Sequence, residues 1–411
     1  LNYNQMIGFM AYGGLPSRYS HWSFGKAFEK TKMLYSYGIT GLPYEMVINS
    51  DPCLAYLMKD NSLCLQILTM AHVFGHNNFF KTNFYFQHSP VKASEALMMF
   101  KNHARQIQKF YEDPTLDIED IETTIDHAHV LRFHTPSNFL QKASEEDEKN
   151  LFGYDLRESI LGFLAKHSRN LTPWQRYILE VVEKESFYFM PQIETKIINE
   201  GWASFIHYVI MHQLSLPQNL HFEFLINHSQ VLRPIFGGIN PYHVGFEILK
   251  NLFCKEDEFD PLLIKATDTN FKYIKEVIKT ERDSSFLRRF LTPELAERLY
   301  LFEHSKKGKH RIVSRLPTED NFEVFREHLI KQTGSLSIPK LKVKDVIISK
   351  NCLVIEHIFD GRELQLEWSE QALKSISWLW GGECILETKL NGKNIALRCL
   401  NNEVKIDKLA S

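Results

Sequence analysis

The chain has 411 residues and a mass of 48.2 kDa, enough for two domains or one large domain with an appendix. Hydrophobic residues make up 44% and aromatic ones 13%, which excludes global disorder. Lys plus Arg total 48 against 50 Asp plus Glu, a net charge of -2. That balance excludes a protein that holds nucleic acid or anionic lipid through bulk charge.

In chain order, Gly and Pro mark connections at 12–16, 41–43 and 236–238. Apolar residues recur at three- and four-residue spacing over 62–81, 93–112, 118–131 and 172–213, which predicts helices. Thr172 before Pro173 and Asn240 before Pro241 are N-cap signals. Pro191 predicts a break near Met190. The acidic run 144–148 reads as a solvated loop. Glu303-His-Ser-Lys-Lys-Gly-Lys-His-Arg311 has no apolar face and predicts a solvated linker or a partner-docking loop. Beyond it, period-two alternation over 345–356, 363–368, 384–390 and 395–400 predicts strands, joined in pairs by turns at Asp360-Gly361 and Asn391-Gly392. The expected fold class is α+β: a large, mostly α-helical domain over 1–302, a charged linker over 303–316, and a small β-rich C-terminal domain over 317–411.

No apolar run approaches the roughly 18 residues of a membrane span, and no basic-then-apolar signal follows Leu1. The six cysteines (Cys53, Cys64, Cys254, Cys352, Cys384, Cys399) form no C-x-x-C pair. Reduced thiols in a cytoplasmic protein are therefore expected.

His72 and His76 are four residues apart, on a predicted helical stripe with Leu65, Leu68 and Phe79, so both imidazoles point inward. Zinc peptidases grip one ion with this spacing. Among 18 histidines chance supplies about one such pair. Val73 also stands where the peptidase motif carries Glu, so buried structural histidines are the alternative. Glu200 shares a predicted face with Ile193, Ile197, Ser204, His207 and Met211, and a carboxylate there is costly to bury without a partner or a cation. Gly201 and Ala203 beside it allow another element to approach closely. Glu200 is thus the expected third metal ligand. His207, about 10 Å further along the axis, is expected behind the ligands or against substrate.

Glu194, in the first turn after Pro191, is either favoured by the helix dipole or catalytic. Asp126, His127 and His129 offer metal ligands or a carboxylate–histidine base, with a capping or surface role as the alternative. His243 and Glu247 sit one turn apart after the Asn240 cap, as an ordinary polar pair or as active-site groups. The loop 14–26, with Arg18, Ser20, His21 and Lys26, would suit an anionic ligand or serve as a structural turn. No P-loop, G-x-G-x-x-G or G-x-S-x-G is present.

These segments together resemble the SpoVR family, named for stage V sporulation protein R. The likeness is carried by Tyr19-Ser-His-Trp-Ser-Phe-Gly-Lys26, Glu45-Met-Val-Ile-Asn-Ser-Asp-Pro-Cys53, Ala71-His-Val73 with His76, Met190-Pro-Gln-Ile-Glu-Thr-Lys196, Asn199-Glu-Gly-Trp-Ala-Ser204 and Asn240-Pro-Tyr-His-Val-Gly-Phe-Glu247. The resemblance implies a cytoplasmic bacterial protein, with further residues upstream of Leu1, tied to spore-cortex formation or to stress and stationary-phase physiology. A PrkA-like serine kinase and a von Willebrand-type protein are the partners it implies. It attaches no reaction.

The functional expectation is a metal-dependent hydrolase of an amide or peptide-like bond, with a peptidoglycan precursor among its substrates. The ion, Zn²⁺ with iron or manganese as alternatives, would sit on His72, His76 and Glu200. Glu194, His127 or His129 would supply the base, and His207 and His243 would steady the oxyanion or substrate. A non-enzymatic scaffold in the kinase complex is the alternative, and an oxygen-dependent iron site a third.

Overall fold

Side-chain acceptors start the helices that matter here. Ser62 accepts from the Leu65 N–H to open Leu63–Thr82, and Asn240 accepts from Tyr242 N–H to open Pro241–Phe253, with Pro241 at its first position. Asp117 caps Ile118–Leu131. The computed structural model describes residues 1–15, 17–37, 45–134, 158–235, 238–254, 259–307 and 310–408. The predicted connection at 41–43 and acidic loop at 144–148 lie outside them. The helices expected over 62–81, 93–112 and 118–131 are observed as Leu63–Thr82, Ala93–Glu112 and Ile118–Leu131.

The break at Pro191 is displaced. One helix runs from Pro173 through the proline to Glu194, and the next spans Lys196–Gln213. Proline removes one donor from a helix without necessarily ending it. The turn comes at Thr195 (φ -128°), whose Oγ1 donates to the Pro191 carbonyl at 2.7 Å.

The described residues are helical through most of their length, with a five-stranded sheet near the C-terminus, an α+β fold as expected. The compact units, however, do not follow the expected boundaries at 302 and 317. One comprises Leu1–Pro16, Phe24–Leu97 and Pro191–Ser337; the other Ser17–Ser23, Met98–Met190 and Ile338–Ser411.

In the first unit, Leu63–Thr82, Lys196–Gln213 and Pro241–Phe253 pack through their smallest residues. A Cβ on Gly75 would fall 2.6 Å from the Ala203 Cα, and one on Gly201 would fall 2.4 Å from Gly245. Phe79, Trp202, Phe205 and Phe246 fill the surrounding core. An antiparallel hairpin, Glu45–Ile48 with Leu54–Leu57, belongs to the same unit. The expected linker at 303–316 is instead a second antiparallel hairpin, Glu303–Lys307 with His310–Arg315. Backbone pairing needs no apolar face, which is why composition alone misreads it.

The second unit is built on the sheet, in the order Leu341–Ile347, Cys352–His357, Glu383–Leu390, Lys393–Leu400 and Glu403–Lys408. The predicted strand over 345–356 is two strands. They turn through Asn351 at φ 47°, a left-handed conformation that asparagine tolerates. Asn391-Gly392 joins a hairpin as read, at φ 49° and 72°. The expected strand at 363–368 runs into the helix Leu366–Trp380. Leu373, Ile376 and Trp380 continue a helical spacing, and this helix is the crossover that the parallel pairing of Cys352–His357 with Glu383–Leu390 requires. One sheet face is covered by apolar side chains from Ile118–Leu131 and Ile160–His167, including Leu131, Phe163 and Leu164. The sheet is therefore not a free-standing tail; its core is completed by helices two hundred residues earlier in the chain. Among the described residues no helix is long and apolar enough to cross a membrane.

Candidate metal centre

Four elements of the first unit converge on one point. His72 and His76 sit on successive turns of Leu63–Thr82, with ring centroids 4.6 Å apart. Glu200 reaches them from the first turns of Lys196–Gln213: its Oε2 lies 3.5 Å from His72 Nε2 and 3.4 Å from His76 Nε2. Glu45, at the first position of its strand, brings Oε1 to 3.9 Å from His72 Nε2. Ligand atoms of Glu45, His72 and His76 all lie within 4.8 Å of one another. Tyr242, two residues after the Asn240 cap, stacks on His72 at 5.9 Å and 25°.

These separations are informative. A charge-assisted N–H···O contact is about 2.7–2.9 Å long, whereas donors tetrahedrally bound at about 2.0–2.1 Å stand about 3.3–3.5 Å apart. The Glu200–imidazole distances match the second figure. His72 Nε2 and Glu200 Oε2 are both buried without a hydrogen-bond partner, a costly state that a cation would relieve. The residues present therefore fit a divalent ion.

The far side of each ring is fixed. His76 Nδ1 lies 2.9 Å from Asn199 Oδ1, and His72 Nδ1 lies 2.9 Å from His207 Nδ1. His207 Nε2 in turn meets His228 Nδ1 at 2.8 Å. Burial, aided by the surrounding histidines, pushes His207 well below the usual imidazole range; burial brings His228 down to about 3. The two carboxylates are driven apart. Burial raises Glu45 against the pull of His72 and His76. Burial would raise Glu200 too, but His76 and His72 overcome it and hold the carboxyl well below its ordinary value. The Glu200 charge, with burial and Glu45, lifts the Tyr242 phenol far above its usual range.

Of the residues expected from sequence, His72, His76, Glu200 and His207 are brought together. Glu194 is not in the first turn of a helix but is the last residue of Pro173–Glu194, because the helix passes through Pro191. The favourable-dipole reading therefore fails. The side chain is buried against Arg282, 3.5 Å away. Burial, and after it the charge of Arg298, lowers the His243 pKa. Glu247 meets the same guanidinium at 3.7 Å. Asp126, His127 and His129 belong to the second unit. There His127 Nδ1 lies 3.0 Å from Ser375 Oγ, His129 Nε2 lies 2.7 Å from the Tyr19 hydroxyl, and Asp126 accepts from Trp22 Nε1 at 2.9 Å. The loop around Arg18 pairs with Glu185 at 3.1 Å rather than presenting a free cation. Glu45, Tyr242, Asn199 and His228 were not singled out by spacing. Glu45, Asn199 and Tyr242 stand inside the motifs that carry the family resemblance, which was the available signal.

Comparison with known proteins agrees with that resemblance. The family described as SpoVR like protein matches residues 1–151 and 135–338. The chain is 30% identical to the Uncharacterized protein YcgB of Escherichia coli (strain K12), over 96% of this chain and 88% of that relative. No solved structure matches. The motifs, the family match and this relative lead to one conclusion: the chain belongs to the SpoVR family.

Proposed function

We propose that Glu45, His72, His76 and Glu200 form a divalent-metal site and that the protein is a metal-dependent hydrolase of amide or peptide-like bonds. The observation that carries this reading is the meeting of two imidazole Nε2 atoms with one carboxylate oxygen at 3.4 and 3.5 Å, where two of the three atoms have no hydrogen-bond partner. His72, His76 and Glu200 act as ligands. A divalent ion held by such a set supplies Lewis acidity and a water that ionises near neutral pH. Glu45, the more distant carboxylate, is the proton acceptor. It fills the role that Val73 leaves vacant in the helix and that sequence reasoning assigned to Glu194, His127 or His129. Tyr242, whose phenol is kept protonated by Glu200 and by burial, would donate to a developing oxyanion.

Zn²⁺ suits the paired imidazoles, while the carboxylates also suit iron or manganese. The family resemblance supports a setting in cortex assembly or stress physiology, beside a PrkA-like kinase and a von Willebrand-type protein; a peptidoglycan precursor as substrate belongs to the hydrolase proposal and not to the resemblance. The test is elemental analysis of purified protein after reconstitution with Zn²⁺, Fe²⁺ or Mn²⁺, alongside His72→Ala and Glu200→Ala. Hydrolysis of acyl-amino-acid and peptide substrates is then measured with and without chelator. One ion per chain, lost in both variants, and a chelator-sensitive hydrolysis are expected. A wild-type protein that takes up no metal overturns the reading and leaves a regulatory scaffold.

A further inference from the structure

We infer that His207 and His228 are positioning residues for the metal centre, forming with His72 a directional three-imidazole chain that holds the His72 Nε2 lone pair toward the ion. This rests on the metal reading above.

Each neutral imidazole carries one N–H and one lone pair. When Nε2 of His72 gives its lone pair to a cation, its proton sits on Nδ1. Nδ1 of His207, 2.9 Å away, must then accept, which places the His207 proton on Nε2. Nδ1 of His228, 2.8 Å from that nitrogen, must accept in turn. One condition at the cluster sets the tautomer of three rings on three helices: Leu63–Thr82, Lys196–Gln213 and Gln218–Val231.

The reverse direction would put a proton on His72 Nε2, which has no hydrogen-bond partner. The carboxylate oxygens before it stand at 3.5 and 3.9 Å, too long for a charge-assisted bond. The other ligand histidine has the same orientation by simpler means, since His76 Nδ1 meets Asn199 Oδ1 and its Nε2 faces the cluster. Burial favours the neutral chain: His207 is 1% exposed and His228 6%, and Tyr208, Phe224 and Phe246 pack on the His228 ring. Metal-bound histidines ordinarily give their outer N–H to a carboxylate or carbonyl. Here the acceptor is another imidazole, which can accept only if His228 accepts behind it.

The test uses Zn²⁺ binding to the full chain by wild type, His207→Leu, His207→Gln and His228→Leu, with thermal melts to establish folding. Losing an outer partner of a ligand weakens binding about 10- to 100-fold, and that loss is expected in His207→Leu. His207→Gln, whose amide accepts on one side and donates on the other, should remain within a few-fold of wild type. His228→Leu should show a smaller loss and keeps the test decisive if His207→Leu does not fold. In the Zn²⁺-loaded wild type with isotope-labelled histidine, nuclear magnetic resonance should find the His207 proton on Nε2. Wild-type affinity in folded His207→Leu or His228→Leu, or a His207 proton on Nδ1, overturns the chain while leaving the metal site standing. A wild type that binds no Zn²⁺ overturns both.

Discussion

Gly75→Ala tests whether helix contact sets the geometry of the proposed metal centre. The new Cβ would lie 2.6 Å from Ala203 Cα and 3.2 Å from its Cβ. Carbon atoms rest at about 3.5–4.0 Å, and the obstructing atom is backbone, so no rotamer change relieves it. Leu63–Thr82 and Lys196–Gln213 must separate by about 1 Å. The first carries both imidazoles and the second carries Glu200, so the 3.4 and 3.5 Å separations would open toward about 4.5 Å, beyond the roughly 4.2 Å that two bonds of about 2.1 Å can span. Overpacking costs about 1–3 kcal/mol, partly offset by about 1 kcal/mol of helix propensity. The expected result is a folded, modestly less stable protein whose Zn²⁺ affinity falls by about 100-fold, equivalent to about 2.8 kcal/mol of lost binding. Titration calorimetry and a thermal melt measure the two effects. Gly8→Ala is the control: nothing lies within 4 Å of its added Cβ, so it should gain up to about 1 kcal/mol and bind metal normally. A folded Gly75→Ala protein with wild-type Zn²⁺ affinity would refute the claim that this contact positions the donors.

That contact also shows which parts of the site were legible. Periodicity reports which face of a helix is buried, so the inward direction of His72, His76 and Glu200 followed from sequence. Small residues report where another backbone comes close, and Gly201 with Ala203 did mark the packing surface. Neither signal identifies the neighbour. Glu45 reaches the cluster from a four-residue strand, too short to carry a period, and its place depends on tertiary packing. At the start of Pro241–Phe253 two adjacent polar residues point about 100° apart. The exact phase of that helix brings the Tyr242 ring against His72, which spacing could not foretell. His228 belongs to a helix whose apolar and polar residues do not segregate cleanly, and its role exists only because His207 meets it. The unit boundaries were hidden for a related reason: a sheet must bury one face, and the sequence does not say which distant helices will cover it.

Glu45→Gln keeps the side chain's shape and removes its basicity, so Zn²⁺ content should stay within a few-fold of wild type while hydrolysis falls about 10²- to 10⁴-fold. Loss of the metal together with activity, read by elemental analysis, would make Glu45 a required ligand instead. Asp283 accepts the backbone N–H groups of Ile197 and Ile198 at 2.9 and 3.0 Å, at the start of the helix that carries Glu200. Asp283→Ala should therefore cost about 1–3 kcal/mol in denaturant unfolding, and a change below about 0.5 kcal/mol would discount the cap. His129→Gln addresses acid stability in the second unit. Burial first, then Arg132, Arg18 and His21, lowers His129 to about 2, against about 6.5 in an unfolded chain. The sign follows from the depressed folded value. Above pH 6.5 both states are neutral there and the contribution is fully present; as pH falls from about 6.5 toward 2 the unfolded chain binds a proton that the fold refuses, so stability falls. Well below 6.5 the slope from this residue is about 1.4 kcal/mol per pH unit. Between pH 6 and 4, His129→Gln should flatten the acid limb of stability against pH, while a slope identical to wild type would show that His129 charges in the folded protein despite its Tyr19 contact.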